Sequence, residues 1–307
     1  MPEAGRLSSL AFALNLGLPS FRPSLPLCLR GRRPFPSSGI GMDKRAIAFG
    51  ASGVRGTFET IGVIVVEQKT MDAALEPTEA DALGVDEVRA LMEMREGVYR
   101  LFSSLYFKEL TEDQIRFLHD ADLDGFEEMS ETMAEGARNI KRAVRRINSG
   151  TREDLAVDYA HTFLGAGTTK GESRACPYES VFTSRDGLIM QEARDDVYRY
   201  MLNEHLEPNA NLRIPDDHLA FVFEFMANLC VRFNEAVAAG DASEARRIYE
   251  VQREFFEKHI YSWIGRLCDA IEGCCRTSFY RGVSQMTRGF VEADHEILAD
   301  MDAAVAA

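Results

Sequence analysis

From residue 85 to residue 107 apolar side chains recur every three or four positions, at Leu91, Met94, Val98, Phe102 and Leu105, the spacing that lines one face of a helix. An amphipathic helix is predicted there. Thr111 with Gln114 makes a capping box ahead of Ile115 and Leu118, and Phe126, Met129, Met133, Ala137, Ile140, Val144 and Ile147 hold the same period as far as Gly150. Two more helices are expected from that stretch. Thr151 is placed to cap a helix bearing Leu155, Tyr159 and Phe163, after which Gly165, Gly167, Gly171 and Pro177 punctuate a loop running to about Ser180. A helix over about 191–203 precedes a break at Pro208, and Pro215 stands where a first-turn proline belongs, opening a helix through Leu219, Val222, Met226, Leu229, Phe233 and Val237 that Gly240 closes. Asp241 with Glu244 caps the next, bearing Ile248, Val251, Phe255 and His259. Helical faces then recur through Trp263, Leu267 and Ile271, and through Phe279, Val283, Met286 and Phe290. No period-2 strand pattern competes after Met71, so the fold class is all-α, a single-domain bundle of eight or so helices over residues 71–307.

Charge and composition set the first 70 residues apart. They carry nine basic and four acidic side chains, against 26 basic and 45 acidic in the rest, and hold six of the ten prolines and nine of the 23 glycines. Residues 1–70 therefore read as an extension outside the core: a targeting peptide, a disordered tail, or translated sequence upstream of a start at Met42 or Met71. Arg32 and Arg33 hint at a twin-arginine export signal, but Pro36, Asp43, Lys44 and Arg45 interrupt any apolar region after them.

The whole chain has a formal charge of −14 and 46% hydrophobic residues. That balance lacks the basic footprint of a nucleic-acid binder and favours a cationic peptide as partner. No apolar run approaches the length of a membrane span, so no membrane insertion is expected. Six cysteines without a C-x-x-C pair read as reduced, cytosolic thiols. The run from Gly165 to Gly171 lacks the order of a phosphate loop and a preceding strand. Cys268, Cys274 and Cys275 point in different directions on a helix and are better read as buried small side chains than as a metal site. The six histidines form no metal-hydrolase spacing.

Two clusters stand out. One is the loop from Ala175 to Phe182, with Pro177, Tyr178, Glu179 and Ser180, following shortly after Asp158 to Leu164. The other is Pro215, Asp216, Asp217 and His218, two acids and an imidazole ahead of a long apolar helix. Structural roles are open to both, since acids suit a helix N-terminus and Tyr178 can cover the core.

In their order along the chain, DYAHTFLG (158–165), ACPYES (175–180), PDDHLAFVFEFM (215–226), FFEKHIYSW (255–263) and FYRGVSQMTRGFVEAD (279–294) resemble the TorD/DmsD/NarJ family of all-helical redox-enzyme maturation chaperones. The resemblance runs from roughly Val88 to Asp294. It implies a TorD-like, cytoplasmic, non-catalytic chaperone with no cofactor or metal of its own. Such a protein binds the apo catalytic subunit of a molybdopterin oxidoreductase, often through its twin-arginine signal peptide, and holds it for cofactor insertion before export or assembly. Carried over by motif, the peptide-binding surface comprises Tyr159, Phe163, Pro177, Tyr178, Glu179, Ser180, Pro215, Asp216, Asp217 and His218. Paired guanidiniums beside an apolar run call for carboxylates next to a hydrophobic groove. Asp217, helped by Asp216 or Glu179, is expected to face the arginines, with Tyr178, Phe163 and Phe182 on the apolar side. The chain departs from the family in having Ile214 where an acidic residue commonly precedes the helix-opening proline, and in its long leader. Monomer and homodimer are both compatible with the sequence. The alternative functions are an enzyme using Asp217 and His218 as an acid/base pair, and a helical scaffold.

Overall fold

The computed structural model describes residues 84–127, 129–168, 174–207 and 212–306. The expectations for residues 1–70, and for part of the Gly165–Gly171 run, lie outside them. The helices are α1 (Val85–Phe107), α2 (Glu112–Asp120), α3 (Asp124–Glu127), α4 (Glu131–Val144), α5 (Thr151–Leu164), α6 (Glu179–Thr183), α7 (Glu192–Asn203), α8 (Leu219–Ala238), α9 (Ala242–Phe256), α10 (Ser262–Cys274) and α11 (Ser278–Ala306). A π-helical turn, Glu257–Tyr261, joins α9 to α10. Among the described residues there is no strand, only an isolated antiparallel bridge between Tyr178 and His218. The all-α expectation holds. The element count exceeds the expected eight because of short helices: α3 falls within a periodic run that does not separate it from its neighbours, and α6 is a single five-residue turn of helix inside the stretch expected as the Ala175–Phe182 loop, too short to show a period.

Local signals placed several ends correctly. Thr111 Oγ1 accepts from the Gln114 amide while Gln114 Oε1 accepts from the Thr111 amide, and Asp241 accepts from the Glu244 amide. Gly165 and Gly240 end α5 and α8 with positive φ of 70° and 72°. Three expectations need correcting. Thr151 is the first helical residue rather than the cap, and its hydroxyl accepts from the Asn148 amide. Helix α4 stops at Val144, leaving Ile147 outside it and 45% exposed. Pro215 does not open α8: the His218 amide donates to the Pro215 carbonyl in a turn, and the helix starts at Leu219 because the His218 ring caps it.

Two extensive helix pairs organise the core, α1 against α8 and α4 against α11. The first is built on aromatics. Tyr99, Phe102 and Tyr106 of α1 meet Phe223 of α8, and Tyr99 and Phe102 meet Phe290 of α11, with centroids 5.0 to 6.2 Å apart. The second is built on small residues: a Cβ on Gly282 would lie 2.6 Å from the Gly136 carbonyl oxygen, and one on Gly289 would lie 2.4 Å from Met133 Cγ. Only glycine lets these two helices approach so closely.

Two acids from the family-like motifs are spent on this framework. Asp294, fully buried, accepts from Nε and Nη2 of an equally buried Arg95 at 2.5 and 3.0 Å and from the Tyr99 hydroxyl at 2.5 Å, while Arg95 Nη1 donates to Gln252. That bidentate pair satisfies a charge which would be costly alone in the interior, and it ties α1, α9 and α11 together. Asp158 of α5 accepts from the amides of Arg276 and Thr277 and from the Thr277 hydroxyl, at 2.6 to 2.9 Å, so it satisfies backbone donors at the start of α11 from another helix.

Candidate functional site

The two sequence clusters come together at the Tyr178–His218 bridge. The Leu219 amide donates to the Pro177 carbonyl at 2.8 Å and the Glu179 amide to the Asp217 carbonyl at 3.1 Å, so the loop before α6 and the turn before α8 run side by side. Tyr178 packs edge-on to His218 with centroids 4.8 Å apart. Asp217 Oδ2 accepts from the Ser180 amide at 2.9 Å, placing its charge at the start of the five-residue α6.

The carboxylates differ in what they hold. Asp216 pairs with Arg194 of α7 at 2.6 Å; burial lifts its carboxyl above the ordinary range against the pull of that guanidinium. Glu179 pairs with His259 of the π-turn, Oε2 to Nδ1 at 2.9 Å. The other His259 nitrogen lies 3.4 Å from Asp196, which also pairs with Lys258. Burial works against the Asp196 charge, but the hydrogen bond and charge of Lys258, with His259 and Arg199, hold its carboxyl below the ordinary range. Asp217, with no exposed surface, keeps its Oδ1 without a hydrogen-bond partner. Of the three carboxylates expected to face a cation, two are thus matched within the chain and Asp217 retains an open acceptor.

His218 is not available for proton transfer. Its Nδ1 accepts from the Ala220 amide at 3.1 Å as the N-cap of α8, and burial pushes its pKa down to about 3. A capped imidazole of such low basicity cannot partner Asp217 as an acid/base pair near neutral pH. Burial, then the nearby charges of Asp217 and Cys176, raises the Tyr178 hydroxyl, keeping it a neutral donor.

Tyr159 and Phe163, expected nearby, lie in the core at 3% and 2% exposure. Their rings pack against each other at a tilt of 52° and both meet Tyr280, with the Tyr159 hydroxyl donating to the Tyr106 carbonyl. Phe182 is stacked on Trp263, 5.5 Å away, and so supports α6 from below. Pro177, Glu179 and Ser180 are buried, and Tyr178 and Pro215 are half-buried. Arg194, Asp196 and His259 were not assigned roles by the sequence; besides local pairs on α7, Arg194 meets Asp216, Asp196 meets Lys258, and His259 meets Glu179 across separations that no local spacing encodes.

Among the described residues no cluster of His, Cys, Asp or Glu could hold a metal ion, and no helix is long and apolar enough to cross a membrane. The Cys268 thiol is buried and its pKa is pushed up to about 12 by that burial, as suits an inert core thiol.

A family model described as the nitrate reductase delta subunit matches residues 126–269. The chain is 26% identical over 216 residues to "Chaperone protein TorD" of Vibrio atlanticus (strain LGP32), covering 69% of this chain and 98% of that one. The protein of the same name from Vibrio parahaemolyticus is 26% identical over 219 residues, covering 70% and 99%. That of Aliivibrio salmonicida is 27% identical over 221 residues, again covering 70% and 99%. These relatives are chaperones rather than enzymes, in keeping with a capped and buried His218. By its ordered motifs, its all-helical architecture and these likenesses, the chain is TorD-like, similar along about 70% of its length to proteins named as TorD chaperones.

Proposed function

We propose that the protein acts in the cytoplasm as a dedicated chaperone that binds the apo catalytic subunit of a molybdopterin oxidoreductase. It takes hold through the subunit's twin-arginine signal peptide and keeps the subunit competent for cofactor insertion. The observation that supports this most is Asp217: a buried carboxylate with one oxygen held by the Ser180 amide and the other lacking a donor, beside a half-buried tyrosine. An arginine guanidinium supplies the donors that oxygen lacks, and a strongly acidic chain steers a cationic peptide toward it. Because Asp217 is covered, the incoming peptide must displace part of the Tyr178 clasp.

Titration of a labelled twin-arginine peptide into wild type and Asp217→Asn tests the reading. Removing one partner of a buried charge pair costs about 2–5 kcal/mol, so binding should weaken by about thirtyfold or more and wild-type affinity should fall with added salt. Unchanged affinity in a variant of wild-type helicity and melting temperature refutes the role of Asp217. A tagged chain that captures no molybdopterin oxidoreductase subunit from its anaerobically grown source argues against the client class.

A further inference from the structure

Between α6 and α7 the chain puts three large apolar residues in a row at the surface: Leu188, Ile189 and Met190, which are 58%, 48% and 57% exposed. The other large exposed apolar side chains among the described residues are not consecutive. Met190 also adopts φ +61°, a left-handed conformation that side-chain-bearing residues rarely take without a local return. The loop is nevertheless fixed at its base. The Gln191 amide donates to Ser180 Oγ at 3.2 Å and the Gln191 side chain donates to the Ile189 carbonyl at 3.1 Å. Below it, α6 is pinned by the Phe182–Trp263 stack and by Arg266 donating to the Phe182 carbonyl. Ser180 is therefore the shared point: its amide binds Asp217 and its hydroxyl anchors the apolar loop.

We propose that the Leu188–Met190 loop is the docking surface for the apolar run that follows the arginines of the bound peptide. This rests on the reading of Asp217 as the arginine acceptor. An exposed apolar cluster held on a rigid base, next to a buried acid with an open oxygen, matches a partner with adjacent cationic and apolar segments. Methionine among the three exposed residues adapts to side chains of varied shape, which suits recognition by apolar character rather than by sequence. The arrangement also gives the peptide a direction, arginines at Asp217 and apolar run across Ser180 toward Met190.

The test uses the full chain, its Leu188→Ser/Met190→Ser variant, and two synthetic peptides, one with paired arginines before a leucine-rich run and one with that run replaced by serine and glutamine. Wild type should bind the apolar-run peptide about tenfold or more tightly than the polar-run peptide, and the loop variant should bind both alike, at the polar-run level. An equal preference in wild type and variant overturns the loop assignment while leaving the Asp217 reading standing. Failure of wild type to bind either peptide removes both. Sedimentation velocity distinguishes a self-association surface: a wild-type dimer that the loop variant abolishes, with peptide preference unchanged, assigns the patch to a second copy and overturns the proposal.

Discussion

Replacing Gly282 by alanine adds one methyl group at the crossing of α4 and α11. That methyl would sit 2.6 Å from the Gly136 carbonyl oxygen and 2.9 Å from both the backbone nitrogen and Cγ1 of Ile140, where ordinary contact begins near 3.4 Å. Two of those atoms are backbone, so no rotamer change relieves the overlap and the helices must part by most of an ångström. Overpacking of this kind costs about 1–3 kcal/mol, while glycine to alanine in a helix returns up to about 1 kcal/mol. The expected net loss is about 1–2 kcal/mol, a fall in Tm of about 3–6 °C for a domain of this size. Gly97→Ala is the internal control: it lies within α1 with nothing inside 4 Å of an added Cβ, so it should be neutral or stabilising by up to about 1 kcal/mol. Thermal and urea melts followed by far-ultraviolet circular dichroism measure both. A Gly282→Ala protein as stable as wild type would refute the account of this helix pair as held by close backbone approach.

Asp158→Ala removes the acceptor for two amides and a hydroxyl at the start of α11 and should cost about 2–4 kcal/mol, with Asp158→Asn intermediate; urea midpoints near wild type in both would show that the contacts carry no stability. Burial holds His218 at about pKa 3 against 6.5 when exposed, so below pH 6.5 the unfolded chain takes up a proton that the folded chain refuses. That contribution to stability is therefore complete above about pH 6.5 and is lost toward pH 3, at no more than about 1.4 kcal/mol per unit. His218→Asn keeps a capping acceptor and should shrink the drop in urea midpoint between about pH 7 and pH 5; a drop of wild-type size would assign the slope to other groups.

The parts of the fold that were legible in the sequence are those decided within a few residues. The caps at Thr111 and Asp241 formed as their spacing required, because a cap is closed within four consecutive residues. The turn at Pro215 was misread because a proline ahead of an apolar run looks the same whether the helix starts at once or waits for His218. What starts it at Leu219 includes a contact to Pro177 from a distant loop. The candidate site was legible only as two separate clusters, and their union could not be read from either. Glu179 finds His259 across 80 positions and Asp216 finds Arg194 on another helix, so which carboxylate is left open depends on packing. Tyr159 and Phe163 carried the family's motif but face the core, where periodicity alone had already placed them.

The π-turn at Glu257–Tyr261 takes up one residue between α9 and α10 without turning either helix away from its partners. A π-turn holds one residue more than the α-turn it replaces, and its greater width absorbs the roughly 100° that this residue would add to a regular helix. Phe255, His259 and Trp263, four residues apart, all turn inward, and His259 reaches Glu179 while its carbonyl receives the Trp263 indole N–H at 2.7 Å. Excising one residue from the turn should therefore leave Trp263 beneath Phe182 and disturb chiefly the reach of His259 to Glu179. The rod keeps its bearing through the irregularity, and the imidazole that meets the loop is the one carried on the bulge.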